Sequence, residues 1–217
     1  MQTYETVKLF YDEYPYKIVI RNGLVRIFRE KNLAHAKSVL DNLQNMYDTN
    51  SPLQITRFRR IENISHSTFI EAKNLYIELS QNIDYKLRVE NVRMQVYSHE
   101  YSWLQMLSQK FNATEFWQPR VDIDELGKNT IIVNTPPLYQ YKVHLGTNVD
   151  PNLAQWIVTN PGKARAGTTC LDAIKQGHYC KGLYFYVRDD KILQLLNLFI
   201  GKVQRIDKLV YIAKTDK

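Results

Sequence analysis

The sequence predicts an α+β protein with a mainly antiparallel sheet, or sheets, and helices packed on one side. Three observations predict it. Segments of period two, rich in β-branched and aromatic residues, alternate with segments of period 3.6. Turn and cap signals separate them, among them Asn22-Gly23, Asn50-Ser51-Pro52 and Asn160-Pro161-Gly162. The chain of 217 residues is 44% hydrophobic and 24% charged, enough to bury an ordinary core without a metal or a disulfide.

The elements follow in order. Residues 6–11 (TVKLFY) and 16–20 (YKIVI) read as strands, divided by Asp12, Glu13 and Pro15. Residues 24–28 read as a further strand, so that 16–28 forms a hairpin over an Asn-Gly turn. Asn32 caps a helix reaching Tyr47, with Leu33, Ala36, Val39, Leu40, Leu43 and Met46 at helical spacing. Residues 53–58 make a strand. Ser67 caps a helix over 68–81 whose apolar set is Phe69, Ala72, Leu75, Tyr76 and Leu79.

From residue 85 to 97 the apolar positions alternate as Tyr85, Leu87 and Val89, then change parity after Asn91 to Val92, Met94 and Val96. That phase change predicts a turn or bulge. Residues 100–111 form a helix with Trp103, Leu104, Leu107 and Phe111 on one side. Residues 113–129 read as an irregular connection, with Pro119, Gly127 and the acidic Asp122, Asp124 and Glu125. The expected organisation is an α+β half at 1–112, that connection, and a second α+β half at 130–217, packed as one unit. The second half reads as strands at 130–134 and 139–145 and a helix at 152–158. A helix from Thr168 or Thr169 to 176, a strand at 183–187, a helix at 191–200 stopped by Gly201, and a strand at 206–213 complete it.

A faint echo links the halves. Tyr14-Pro15-Tyr16-Lys17-Ile18-Val19-Ile20 resembles Tyr139-Gln140-Tyr141-Lys142-Val143-His144-Leu145. Two ferredoxin-like halves are one way to read it. Shared strand composition is the other.

The net charge is +7, from 29 Lys and Arg against 22 Asp and Glu. Residues 1–100 hold a balance of +2 and residues 101–217 hold +5. The excess favours anionic partners, and with no block of like charges any basic patch must be assembled by folding. No apolar run is long enough to span a bilayer, so no membrane partner is expected. No signal pattern opens the chain and cysteine is sparse, so a reducing, cytoplasmic setting is expected.

Signatures of phosphate-loop, dinucleotide, nucleophile-elbow and zinc-protease chemistry are absent, and neither catalysis nor a cofactor is expected. Cys170, Cys180 and His178 offer three soft donors where zinc wants four, and core packing explains the cysteines better. Asp189-Asp190, with Asp207 or Asp172, resembles a Mg²⁺ site for phosphoryl transfer, but one acidic pair before a helix is what capping alone predicts.

Gly162-Lys163-Ala164-Arg165-Ala166-Gly167-Thr168-Thr169 is a stronger candidate. Its two basic residues and helix start suit a phosphate, against the plainer reading of a loop with a threonine cap. Arg57 and Arg59 fall on one side of an extended stretch and Arg60 on the other. Lys86 and Arg88 share one strand face, and Arg21, Arg26 and Arg29 lie at or beyond the first hairpin. Tyr16, Phe58, Tyr85 and Tyr97 are candidates to stack on bases.

The leading expectation is non-enzymatic binding of nucleic acid, DNA or RNA and preferentially single-stranded. Arg57, Arg59, Arg60, Lys86, Arg88, Lys163, Arg165, Thr168 and Thr169 would meet phosphates and Tyr85 would stack. The alternatives are a structural or adaptor component of a larger assembly, using Trp103, Trp117 and Trp156, and a metal-dependent nuclease at the acidic pair.

Overall fold

The computed structural model describes residues 1–57, 59–147, 149–197 and 203–212. The fold is α+β, built from sheets of mixed antiparallel and parallel pairing with helices alongside. The chain divides into two units. The first comprises Met1–Thr6 and Glu13–Arg120, and the second Val7–Asp12 and Val121–Lys217. No helix among the described residues is long and apolar enough to cross a membrane.

In the first unit the strands are β1 (Gln2–Thr6), β2 (Tyr16–Arg21), β3 (Gln54–Arg57), β4 (Arg60–Asn63), β5 (Tyr85–Glu90), β6 (Arg93–Ser98) and β7 (Glu115–Pro119). The helices are α1 (Leu33–Asp48), α2 (His66–Gln81) and α3 (Tyr101–Lys110). The sheet runs β1-β7-β2-β6-β5, while β3 and β4 form a separate hairpin. One face of the sheet carries Ile18, Ile20, Tyr85, Met94, Val96 and Phe116, which pack with the apolar stripes of the three helices in one core. Asn32 accepts from the backbone N–H of His35 and fixes the start of α1. The turn at Asn91, with φ of 53°, produces the expected change of parity between β5 and β6.

Several local expectations are corrected. The first strand lies at Gln2–Thr6 rather than 6–11: these residues pair with Glu115–Pro119, the chain bends at Val7 and Lys8, and Tyr11 and Asp12 adopt positive φ. Residues 24–28 do not form a hairpin with β2; a 3-10 segment spans Val25–Lys31. Both edges of β2 are already taken by β6 and β7. The Asn22 side chain also accepts from the Leu24 N–H at 2.7 Å and donates to Glu71 of α2 at 2.8 Å, which turns the chain away. Ser65, not Ser67, caps α2 by accepting from the Thr68 N–H. The stretch read as irregular contains β7, whose Phe116 is buried in the core.

The second unit holds β8 (Thr130–Val133), β9 (Tyr141–Leu145), α4 (Asn152–Thr159), β10 (Ala164–Ala166), α5 (Thr168–Lys175), β11 (Tyr184–Val187), α6 (Asp190–Asn197) and β12 (Val203–Tyr211). Its sheet runs β8-β12-β9-β11-β10. Tyr141, Val143, Leu145, Phe185 and Val187 form a second core with residues of α4, α5 and α6. The expected terminator Gly201 lies outside the described residues.

The two sheets are the same sheet topologically. Counting strands in order within each unit, and leaving β3–β4 aside, both read 1-5-2-4-3. In both, the first strand lies parallel to the last and every other pair is antiparallel. The last four strands make the ferredoxin-like βαββαβ arrangement. The echoing segments, β2 and β9, occupy the same central place.

Candidate nucleic-acid interface

Alternation along a strand sends every second side chain to the face turned away from its own unit's helices. Registered partners on neighbouring strands share a face. In the first unit Lys17 of β2 stands opposite Trp117 of β7 on one side and Tyr97 of β6 on the other, and Tyr97 stands opposite Lys86 of β5. Tyr4 of β1 extends the row beyond Trp117. The Lys17 ammonium sits 4.0 Å from the Trp117 ring centroid, and Tyr4 stacks on Trp117 at 4.6 Å. In the next row Glu115 accepts from the indole N–H of Trp117 at 3.0 Å and pairs with Arg93 at 2.6 Å.

The second unit repeats this row. Lys142 of β9 stands opposite Asp207 of β12 and Tyr186 of β11, and Tyr186 stands opposite Arg165 of β10. Three neighbouring strands therefore read Lys17–Tyr97–Lys86 in one sheet and Lys142–Tyr186–Arg165 in the other. The Lys142 ammonium lies 3.8 Å from the Tyr184 ring centroid. Burial lowers the pKa of both Lys17 and Lys142; Glu115 opposes the shift at the first and Asp207 at the second.

Beside the second row lies a polar cluster. His144 Nε2 is 2.9 Å from Asp207 Oδ2, and Arg205 Nη2 donates to the same oxygen at 2.9 Å. Arg205 Nε lies 2.7 Å from Asp207 Oδ1 without the alignment of a hydrogen bond. Arg205 also reaches Asp12 at 3.1 Å. Burial pushes the Asp207 carboxyl up, but the hydrogen bonds and charges of Arg205 and His144 outweigh it and hold the group below the usual carboxylate range.

Of the residues singled out in the sequence, Lys86, Arg88 and Arg165 lie on these faces, all exposed. Arg88 pairs with Glu90. Lys163 is exposed just before β10, and its backbone N–H and C=O bond Asn160 and Arg188. The segment 162–169 is not an open phosphate loop. Ala164 buries in the core, and 164–166 pairs with β11 as an edge strand. Thr168 and Thr169 are exposed at the start of α5, but Gly167 holds the cap position and no side chain caps it.

Arg57 and Arg60 are registered partners across the β3–β4 hairpin, and Arg59, at φ of 64°, sits in its turn. The chain reverses where a continuous arginine row was expected. Arg59 and Arg60 are exposed. Tyr85 is 3% exposed, within the helix-side core. Its hydroxyl donates to the Leu79 carbonyl at 2.8 Å, and burial pushes its pKa up to about 12. Tyr16 packs against that core and against Tyr101. Tyr97 is buried. Phe58 lies outside the described residues.

Cys170 and Cys180 are free and buried, and burial pushes the Cys170 thiol up to about 11. Asp189 accepts from the Ile192 N–H at 3.0 Å, as a cap does, while Asp190 accepts from the Tyr141 hydroxyl at 2.6 Å. Among the described residues no three His, Cys, Asp or Glu side chains gather where a metal ion could be held. Sequence reasoning missed Lys17 and Trp117 as members of the first unit's sheet face, and Lys142, His144, Tyr184, Tyr186, Arg205 and Asp207 as members of the second unit's. The echo carried part of the signal, because it aligns Lys17 with Lys142. No family model, no curated protein and no solved structure matches the chain.

Proposed function

We propose that the protein binds single-stranded nucleic acid through its two lysine–tyrosine–basic rows. The observation that carries the reading is the repetition of one row in two sheets, Lys17–Tyr97–Lys86 and Lys142–Tyr186–Arg165, each with its lysine over an aromatic ring. Neighbouring strands lie about 4.8 Å apart, so the two basic members of a row stand about 10 Å apart along the sheet. Such spacing lets the two basic members contact phosphates of a flexible strand, and exposed aromatic rings offer stacking surfaces that tolerate any base; Tyr97 is buried and takes no part in stacking. Tyr184 has an exposed ring beside the second lysine. The net charge of +7 adds a long-range attraction for a polyanion.

Fluorescence anisotropy of labelled single- and double-stranded oligonucleotides across a salt series tests the reading. Wild-type affinity for the single strand should fall linearly in log salt. Replacing Lys86 and Arg165 by Gln should flatten the slope by about 0.7 for each phosphate no longer neutralised. Absence of salt-dependent binding at low ionic strength would sink the proposal and favour an assembly component.

A further inference from the structure

We propose that β9 and β12 carry an acid–base site that cleaves single-stranded RNA, with His144 as the base and Lys142 as the acid. The inference rests on the binding reading for delivery of the strand and adds an activity to it.

The geometry begins at Asp207. Its carboxylate is 1% exposed, and it holds His144 Nε2 at 2.9 Å. An ionised carboxylate only accepts hydrogen bonds, so in the neutral imidazole Nε2 carries the proton and Nδ1 the lone pair. Nδ1 has no hydrogen-bond partner among the described residues. The imidazole side chain keeps 20% exposure, and Arg205 donates to the same Asp207 oxygen. A buried carboxylate that fixes the tautomer and orientation of an accessible imidazole is the arrangement by which a histidine is prepared as a general base. Asp207 is the positioning residue.

Lys142 supplies the second group. It precedes His144 by two residues on the same face, so the two backbone positions stand about 7 Å apart and their side chains can flank one phosphate. Burial lowers the Lys142 pKa, which makes its ammonium a better proton donor. Tyr184 lies beside both groups, its ring centroid 3.8 Å from the Lys142 ammonium and 5.9 Å from the His144 ring. At 41% exposure, Tyr184 is placed to stack on a base next to the scissile phosphate.

A base and a cationic acid on one face suit intramolecular attack by a ribose 2′-hydroxyl. Nδ1 of His144 takes the 2′-hydroxyl proton as O2′ bonds to phosphorus. The P–O5′ bond breaks, and O5′ takes a proton from the Lys142 ammonium. The products are a 2′,3′-cyclic phosphate and a 5′-hydroxyl, and solvent restores both protonation states. No oxidant, reductant or further co-reactant enters the balance.

The experiment uses the full chain and a labelled oligodeoxynucleotide with one internal ribonucleotide, incubated with a metal chelator. Wild type should cut only at the ribonucleotide and leave a cyclic phosphate detectable by mass spectrometry; the all-deoxy strand should stay intact. His144→Gln should slow cleavage by about 100-fold or more, the usual contribution of a general base, with binding by anisotropy and melting temperature unchanged. Asp207→Asn should also slow it, through the wrong tautomer. RNA bound by wild type but left uncut overturns the cleavage and leaves the binding reading standing. RNA neither bound nor cut overturns both. Cutting that His144→Gln leaves at the wild-type rate overturns the assignment of the site.

Discussion

The two units share a strand order and differ in what they build on it. In the first, the strand-two lysine faces Trp117 across to the last strand; in the second, the equivalent lysine faces Asp207. Two residues on, the first unit has the buried Val19, while the second has His144. One sheet therefore carries a stacked aromatic set, Tyr4 on Trp117 under Lys17, and the other carries an imidazole held by a buried carboxylate. The connections differ as well. The first unit places the 3-10 segment, α1, the β3–β4 hairpin and α2 between its second and third strands, where the second unit places α4 alone. The second unit instead inserts α5 between its third and fourth strands. The strand skeleton and its lysine row are common to both units, and the chemistry beside the row belongs to one.

The strongest way to break the comparison is through the cores. Phe69 and Phe185 are fully buried in separate clusters. Either Phe→Ala change should cost ~3–5 kcal/mol, through reduced burial and a cavity. Hydrogen exchange should place the loss of protection in the unit that carries the change. Equal loss in both units would show that the two cores do not melt as separate clusters.

Next in size is the position where the units diverge. Asp207→Ala removes a buried carboxylate and leaves Arg205 and His144 without it. A fully buried pair broken this way loses about 3–5 kcal/mol; Arg205 is partly exposed, so about 2 kcal/mol is expected, read from a urea melt. Trp117→Ala at the matching place should leave the charge network of the second unit intact. A loss for Asp207→Ala well below about 1 kcal/mol would mean that Asp207 contributes little to stability.

The helix caps give a smaller contrast. Asn32→Ala, Ser65→Ala and Asp189→Ala each remove an acceptor for a helix N-terminal N–H and should cost ~1 kcal/mol apiece. Thr168→Ala, at a helix start with no side-chain cap, should be close to neutral by the same measurement.

A last effect appears only at alkaline pH. Tyr85 and Tyr141 both have pKa values pushed up to about 12, the first by burial and the second mainly by its hydrogen bond to Asp190. The unfolded tyrosine ionises near pH 10 while the folded one stays protonated, so the folded state binds more protons in that window. The stability each raised value contributes is complete below about pH 10 and is lost as pH rises through about 12. Tyr85→Phe should flatten the fall in stability over that range. Tyr141→Phe should flatten it too, and it should also free Asp190 from its phenolic donor. A pH–stability curve unchanged by either substitution would sink this prediction.

How far the sequence could be read varies with distance along the chain. The core faces of α1 and α2 were legible, since Ala36, Leu40 and Leu43, and Phe69, Ala72, Leu75 and Leu79, recur at helical spacing and are buried. So was the break at Asn91. The strand at 24–28 was misread because Val25, Ile27 and Phe28 suit a strand in composition, while the free edge such a strand needs is occupied by β6 and β7. β7 was missed because five residues ending in proline carry little periodicity, although Phe116 and Trp117 point to opposite faces in the manner of any strand.

The candidate site was legible in fragments. Lys86 and Arg88 could be placed on one strand face from alternation alone, whereas Arg165 reads as a loop residue and only the pairing of 164–166 with β11 puts it on a strand. The neighbours of Lys86 could not be placed, because Lys17 is 69 residues from Lys86 in the chain and meets it only through Tyr97 of an intervening strand. Tyr85 and Tyr97 show the limit from the other side. Both are aromatic residues in strands, and only the packing around them sends Tyr85 into the helix-side core and buries Tyr97.

What the sequence determined by itself is local: the α+β class, most helices with their apolar stripes, the central strands and the basic excess. These depend on side chains within a few residues of one another, where periodicity, caps and turns act. What only the tertiary structure decided is which strands pair, and so which residues stand side by side. The shared 1-5-2-4-3 order, the Lys–Tyr–basic rows and the His144–Asp207–Arg205 cluster join residues far apart in the chain. Their proximity is set by hydrogen-bonded register and by the burial of one face of each sheet, which are properties of the folded whole.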